Sequence, residues 1–178
     1  MKYLLTALIV FSVISIGCKK NSTNSNNNGE VNTFSTVNVI KENATEYFSF
    51  NNNSGSTNEA SVYDVAFYFE MFRPPYPNAP EIPDPRFSAK NGLSIAVLED
   101  INLEDVTEVP SAGEFVLNFI SKEGEWYETT EEHVVVPYEH VYVVNTTDGQ
   151  FPAFEITNYY DEEGDTGLFT IDWKYLSD

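Results

Sequence analysis

Residues Val141 to Leu176 read "VYVVNTTDGQFPAFEITNYYDEEGDTGLFTIDWKYL". From Leu168 onward apolar and polar positions alternate: Phe169, Ile171, Trp173 and Tyr175 face one way, and Thr170, Asp172 and Lys174 the other. Period two marks a half-buried strand. Asp148-Gly149 stands between two extended runs, and Asp-Gly favours the positive φ angles of a tight turn, so a two-residue hairpin with Gly149 at positive φ is expected. The C-terminal third is therefore an antiparallel meander.

Working upstream, "EFVLNFI" and "GLSIAVL" read as further strands, joined by "EDINLEDVTEVPSAG". "EYFSF" and "SVYDVAFYFEMF" are rich in aromatic and β-branched residues; in the second, Val65, Phe67 and Phe69 oppose Asp64, Ala66 and Tyr68. Between them and "GLSIAVL" lies "RPPYPNAPEIPDPR", residues 73–86, whose prolines lack donors and fix φ. It is expected to be a long surface loop, a common carrier of binding groups. No stretch shows capped helical periodicity. The fold class is all-β: a single-domain antiparallel β protein with a C-terminal meander.

The N-terminus is of another kind. "MKYLLTALIVFSVISIGC" runs from Lys2 through an apolar stretch to Gly17-Cys18, an export signal rather than a spanning helix. Cys18, the sole cysteine, ends a segment that resembles the lipobox of bacterial lipoproteins, with Ser15 where leucine is usual. Acylation of Cys18 would hold the chain to a membrane; an ordinary signal peptide with a stray cysteine is the alternative. Residues 1–17 are read as signal peptide, 18–33 as an Asn/Ser-rich tether and 34–178 as the β domain. The expected location is outside the cytoplasm, membrane-anchored, at the outer membrane or cell surface.

Without residues 1–17 the chain keeps 8 basic and 28 acidic groups, a net charge of -20, since Lys2 is the only charge removed. Such a chain repels polyanions, which excludes nucleic acid as a partner. The acidic run Asp161 to Gly167 invites a calcium reading but lacks the alternating spacing of calcium loops, and reads rather as a solvated turn between strands. No Gly-x-Ser-x-Gly, zinc or phosphate-loop motif is present, and no enzyme activity is expected.

Both histidines lie in "EEHVVVPYEH", residues 131–140. In an extended strand His133 and His140 would be about 23 Å apart on opposite faces, so they share a metal only if the chain reverses near Pro137. Each is a single candidate ligand or an ordinary strand histidine. Met71, apart from the initiator the only methionine, is a second kind of donor or a flexible core filler. Arg73, Arg86 and Lys90, around the Pro-rich segment, could meet a ligand carboxylate or merely balance acidic neighbours.

The ordered set "YFSF", "YDVAF", "GLSIAVL", "VPSAG" and the C-terminal meander, with the lipobox ahead of it, resembles the HmuY family of haem-binding lipoproteins over roughly Phe34 to Leu176. Tyr63 stands where tryptophan is common. The resemblance implies a haemophore-like protein that binds haem or porphyrin and passes it to an outer-membrane haem transporter. His133, after Trp126 and ahead of "VYVVNTTDG", takes the place of one axial ligand; the segment from Pro110 to Trp126, where relatives carry the other, has no histidine or methionine. Met71, and His140 if Pro137 reverses the chain, remain as its partner. A surface module of the same fold that binds protein or glycan through Tyr76, Tyr127 and Tyr138 is the alternative.

Overall fold

The computed structural model describes residues 29–59, 62–122, 124–132 and 134–177. Its strands are β1 (Asn32–Ser35), β2 (Glu46–Ser49), β3 (Ser54–Ser56), β4 (Val65–Phe72), β5 (Ile82–Ala89), β6 (Ser94–Glu99), β7 (Val116–Leu117), β8 (Tyr127–Thr129), β9 (Val135–Pro137), β10 (His140–Asn145), β11 (Pro152–Tyr160) and β12 (Thr166–Tyr175). One sheet has the order β1-β12-β11-β10-β6-β7, a second β3-β2-β4-β5, and β8 pairs only with β9. All pairings are antiparallel.

The meander is β10-β11-β12, with Tyr142 opposite Phe154 and Phe154 opposite Trp173. Phe169, Ile171 and Trp173 are buried as their alternation requires. Gly149 has φ 75°, as expected, but the turn is wider than two residues. Thr146 N–H donates to Gln150 O and Gly149 N–H to Thr146 O, both 3.1 Å. That is a type I turn followed by a left-handed glycine. Thr146 favours this arrangement because its hydroxyl also donates to Gln150 O, at 2.8 Å.

The core between the sheets is largely aromatic. Phe67 meets Phe169 at 5.1 Å, Phe87 meets Tyr142 at 4.7 Å edge-on, and Phe50 meets Trp173 at 5.2 Å. Such pairs add about 0.5–1.5 kcal/mol each beyond the area they bury. A smaller core covers the outer face of the six-stranded sheet, where Leu103 and Val106 pack with Val141, Val143, Ala153 and Leu176. Hence all of Val141 to Val144 is buried, and this strand reads as a continuous apolar run. Lys174 is buried under the same cover, its ammonium donating to Glu104 O at 3.2 Å.

Two expectations are corrected. The Pro-rich segment is not all loop, because Ile82 to Ala89 is strand β5, with Pro83 opposite Met71 and Pro85 opposite Phe69. Residues of the same parity, Phe87 and Ala89, turn their N–H groups away from β4, toward Ser121 Oγ and Phe119 O. The missing donors of Pro83 and Pro85 therefore fall on the outer edge, where a ladder loses nothing. "EFVLNFI" is not one strand either: Val116–Leu117 pairs with β6, Asn118 adopts φ 55°, and Phe119 to Ser121 run along β5. One segment thus borders both sheets and closes that flank of the sandwich.

The opposite flank is closed by β1 and the residues after it. Thr36 N–H donates to Phe169 O at 2.9 Å and Val39 N–H to Gly167 O at 2.8 Å. Gly167 is required there, since a Cβ would stand 2.4 Å from Asn38 Oδ1 and its φ is 114°. Asn32 opens β1 opposite Trp173.

Candidate functional site

The candidate site lies at the end of the sandwich remote from Gly29. Gly29 N–H donates to Tyr175 O, at the last residue of β12, whereas His140, Glu99 and Thr166 stand at the other end of their strands. At that far end β4 and β5 outrun the rest of their sheet, because β2 stops pairing at Glu46 opposite Phe67. Tyr68 to Phe72 and Ile82 to Arg86 therefore project as a two-stranded ribbon. Met71 is 54% exposed on it and Tyr76 71% exposed in its loop, which Arg73 ties to Glu81 at 2.8 Å.

A second ribbon, β8-β9, bridges from β5 to β11. Trp126, fully buried, anchors it: the ring packs on Phe169 and Tyr159, and Nε1–H donates to Pro85 O at 3.1 Å. Tyr127 O–H donates to Asp84 Oδ1 at 2.9 Å, and Val135 N–H donates to the Tyr160 hydroxyl at 2.6 Å. Asp84 is buried, and Arg86 pairs with it while donating to Ser121 O at 3.1 Å. Val134, Val136 and Tyr138 remain exposed on this ribbon.

His133 and Cys18 lie outside the described residues. Met71 is an exposed donor on the β4-β5 ribbon, so it is no core filler. His140 opens β10 in the other sheet, half-buried, with its ring 5.1 Å from that of Tyr138. A tight bend just after Pro137, closed by His140 N–H donating to Tyr138 O at 2.8 Å, leads into it. Imidazole and thioether are both ligands of haem iron, so these donors fit the group the sequence suggested.

The three cations have local neighbours. Arg73 pairs with Glu81, Arg86 with Asp84, and Lys90 Nζ stands 5.1 Å from the Tyr63 ring centroid. The acidic turn holds a cation of the chain's own: Lys41 Nζ lies 2.8 Å from Asp161, 2.9 Å from Glu163 and 2.8 Å from Asp165. Hydrogen bonds from Lys41 hold the Asp161 carboxyl well below the usual range, and those carboxylates raise the lysine in return. Sequence reasoning missed Lys41 because it is 120 residues from its partner.

Residues 21–173 match the family described as HmuY protein. The chain belongs to the HmuY family. Among solved structures it is similar to a candidate lipoprotein from Bacteroides fragilis, with TM-score 0.57 and 14% identity over 88% of this chain and 94% of that one. It is also similar to apo PinO from Porphyromonas gingivitis, with TM-score 0.51 and 13% identity over 83% of this chain and 98% of the other. An apo HmuY analog from Tannerella forsythia gives TM-score 0.50 and 11% identity over 85% and 100%. No curated protein matches. At such identities the likeness is one of fold. The HmuY-like pieces of the sequence fall on β2, β4, β6 and the meander, and "VPSAG" leads into a 3-10 turn, Ala112–Glu114, with a Ser111/Glu114 capping box.

Proposed function

We propose that this HmuY-family protein is a lipid-anchored surface protein that binds haem or a related porphyrin and delivers it to an outer-membrane haem transporter. The observation that carries the reading is the placement of Met71 and His140, both iron-ligand types, at the end of the sandwich remote from the tether. Haem would supply a ferric or ferrous centre and a flat apolar face; Met71, His140 and His133 are the candidate donors and Tyr76, Val134, Val136 and Tyr138 the apolar surroundings. Anchoring through Cys18 would turn that end away from the membrane.

An absorbance titration of residues 18–178 with haemin tests this. A saturable, sharpened Soret band is expected, altered in position or affinity by Met71→Ala, His133→Ala or His140→Ala. Absence of saturable binding removes the haem reading. The second reading, protein or glycan binding through surface aromatics, is favoured by Tyr76 and Tyr138, which are exposed; Tyr127 is committed to Asp84.

A further inference from the structure

The turn joining β5 to β6 holds a reactive pair of residues. Asn91 is exposed and is followed by Gly92. Leu93 N–H donates to Lys90 O at 2.9 Å and Gly92 has φ 91°, which makes residues 90–93 a type II turn with glycine at its third position. The turn needs glycine for its backbone, and a residue without a side chain puts no bulk in front of its own nitrogen. In water such a nitrogen attacks the side-chain carbonyl of the asparagine before it. The bond from Gly92 N to Asn91 Cγ forms as the amide proton leaves to hydroxide; the Cγ–Nδ2 bond breaks, and Nδ2 departs as ammonia. Water then opens the five-membered imide at either carbonyl, leaving aspartate or isoaspartate.

In the folded chain that nitrogen is engaged. Gly92 N–H donates to Asn118 Oδ1 at 2.7 Å, and Asn118 N–H donates to Leu93 O at 2.8 Å. Asn118 is the corner residue between the two sheets, at φ 55°. Its segment is fixed on both sides, Leu117 opposite Ser94 and Ile120 bridged to Ser88, so side chain and backbone reach the turn from a settled position. Lys90 N–H, donating to Asp64 O at 2.9 Å, pins the start of the same turn. We infer that Asn91 is a site of spontaneous deamidation and that Asn118 sets its rate by holding the attacking nitrogen of Gly92 in a hydrogen bond. Reaction then proceeds only from conformations in which that bond has opened. The product falls at the crossing from one sheet to the other, where isoaspartate adds a methylene to the main chain and aspartate adds a charge.

Peptide mapping by mass spectrometry, after incubation at mildly alkaline pH, follows aspartate and isoaspartate at position 91. Folded wild type is expected to convert more slowly than the urea-unfolded chain, by on the order of 10-fold or more. Asn118→Gly tolerates the positive φ and removes the acceptor, and is expected to raise the rate on the order of 5-fold, as loss of one hydrogen bond allows. Asn118→Asp keeps an acceptor oxygen and is expected to stay near wild type. Gly149→Val, strained in a different turn, is expected to leave the rate near wild type as well. An Asn118→Gly rate equal to wild type overturns the inference, and so does equal acceleration by Gly149→Val, which would mean general loosening. Should Asn118→Gly fail to fold, amide exchange of the wild type decides: a protected Gly92 N–H upholds the hold of Asn118, and exchange at the unfolded rate overturns it. An Asn91 that stays intact even in the unfolded chain is no deamidation site.

Discussion

Asp64 shows how a single residue trades charge against position. Its carboxylate accepts the Phe50 N–H at 3.0 Å, but burial, the largest effect, pushes its pKa above that of an ordinary aspartate. A carboxyl whose folded pKa is raised binds its proton more tightly in the native state, so ionisation costs stability as pH climbs past the unfolded value. Asp64→Asn keeps an acceptor for Phe50 and removes that cost. Its melting temperature is expected to exceed that of the wild type at pH 7, with the gap closing as the pH is lowered through the carboxylate range. An equal gap at acid pH would point to a cause other than charge. Gly149 is the contrasting case, required for its backbone alone: φ is 75° and a Cβ would meet nothing within 4 Å. Gly149→Val is therefore expected to cost about 1–2 kcal/mol in denaturant unfolding, all of it from the left-handed conformation. No change in stability would refute the turn as described.

Elements were legible where one rule governed them. β12 was plain because a strand with one face on the core alternates, and the rule fails only at Lys174, where the covering segment Leu103 to Val106 comes from a stretch read as mere connection. β5 was hidden because a proline forbids a ladder bond only on the side that has a partner, and sequence does not say which side that is. Phe115 to Ile120 was misread because its residues serve two sheets around a corner at Asn118. At the candidate site, Met71 and His140 could be named from residue type. The anchor of the β8-β9 ribbon could not, since Trp126 bonds a carbonyl 41 residues away. Tyr127→Phe removes a hydrogen bond to the buried Asp84 and is expected to destabilise the protein by about 1–2 kcal/mol. Amide exchange should quicken in β8 and β9 before it does in β12; uniform quickening would mean the ribbon is not a separable unit.

For the whole molecule, composition gave the class, and the family match gave the setting in which the fold is used. The net charge of -20 without residues 1–17 keeps the surface from polyanions, and Cys18 is the proposed point of membrane attachment. Wild-type protein is expected in the detergent phase on phase separation, and Cys18→Ala in the aqueous phase or unprocessed. Equal partition of the two would remove the anchor.

The pairing of β1 with β12 bears on how the protein comes into being. Among the described residues the first strand of the sandwich pairs with the last alone, with Ser35 and Thr170 bonded across 135 positions. Chains emerge from synthesis or export N-terminus first, and contacts this distant in sequence form slowly. The meander can zip locally, but β1 must wait, unpaired, until the C-terminus has arrived. A nascent chain held short of Thr166 would leave the edges of both β1 and β11 open, each a template for a neighbouring chain. The completed C-terminal strand is thus the step that separates a soluble domain from an aggregating one.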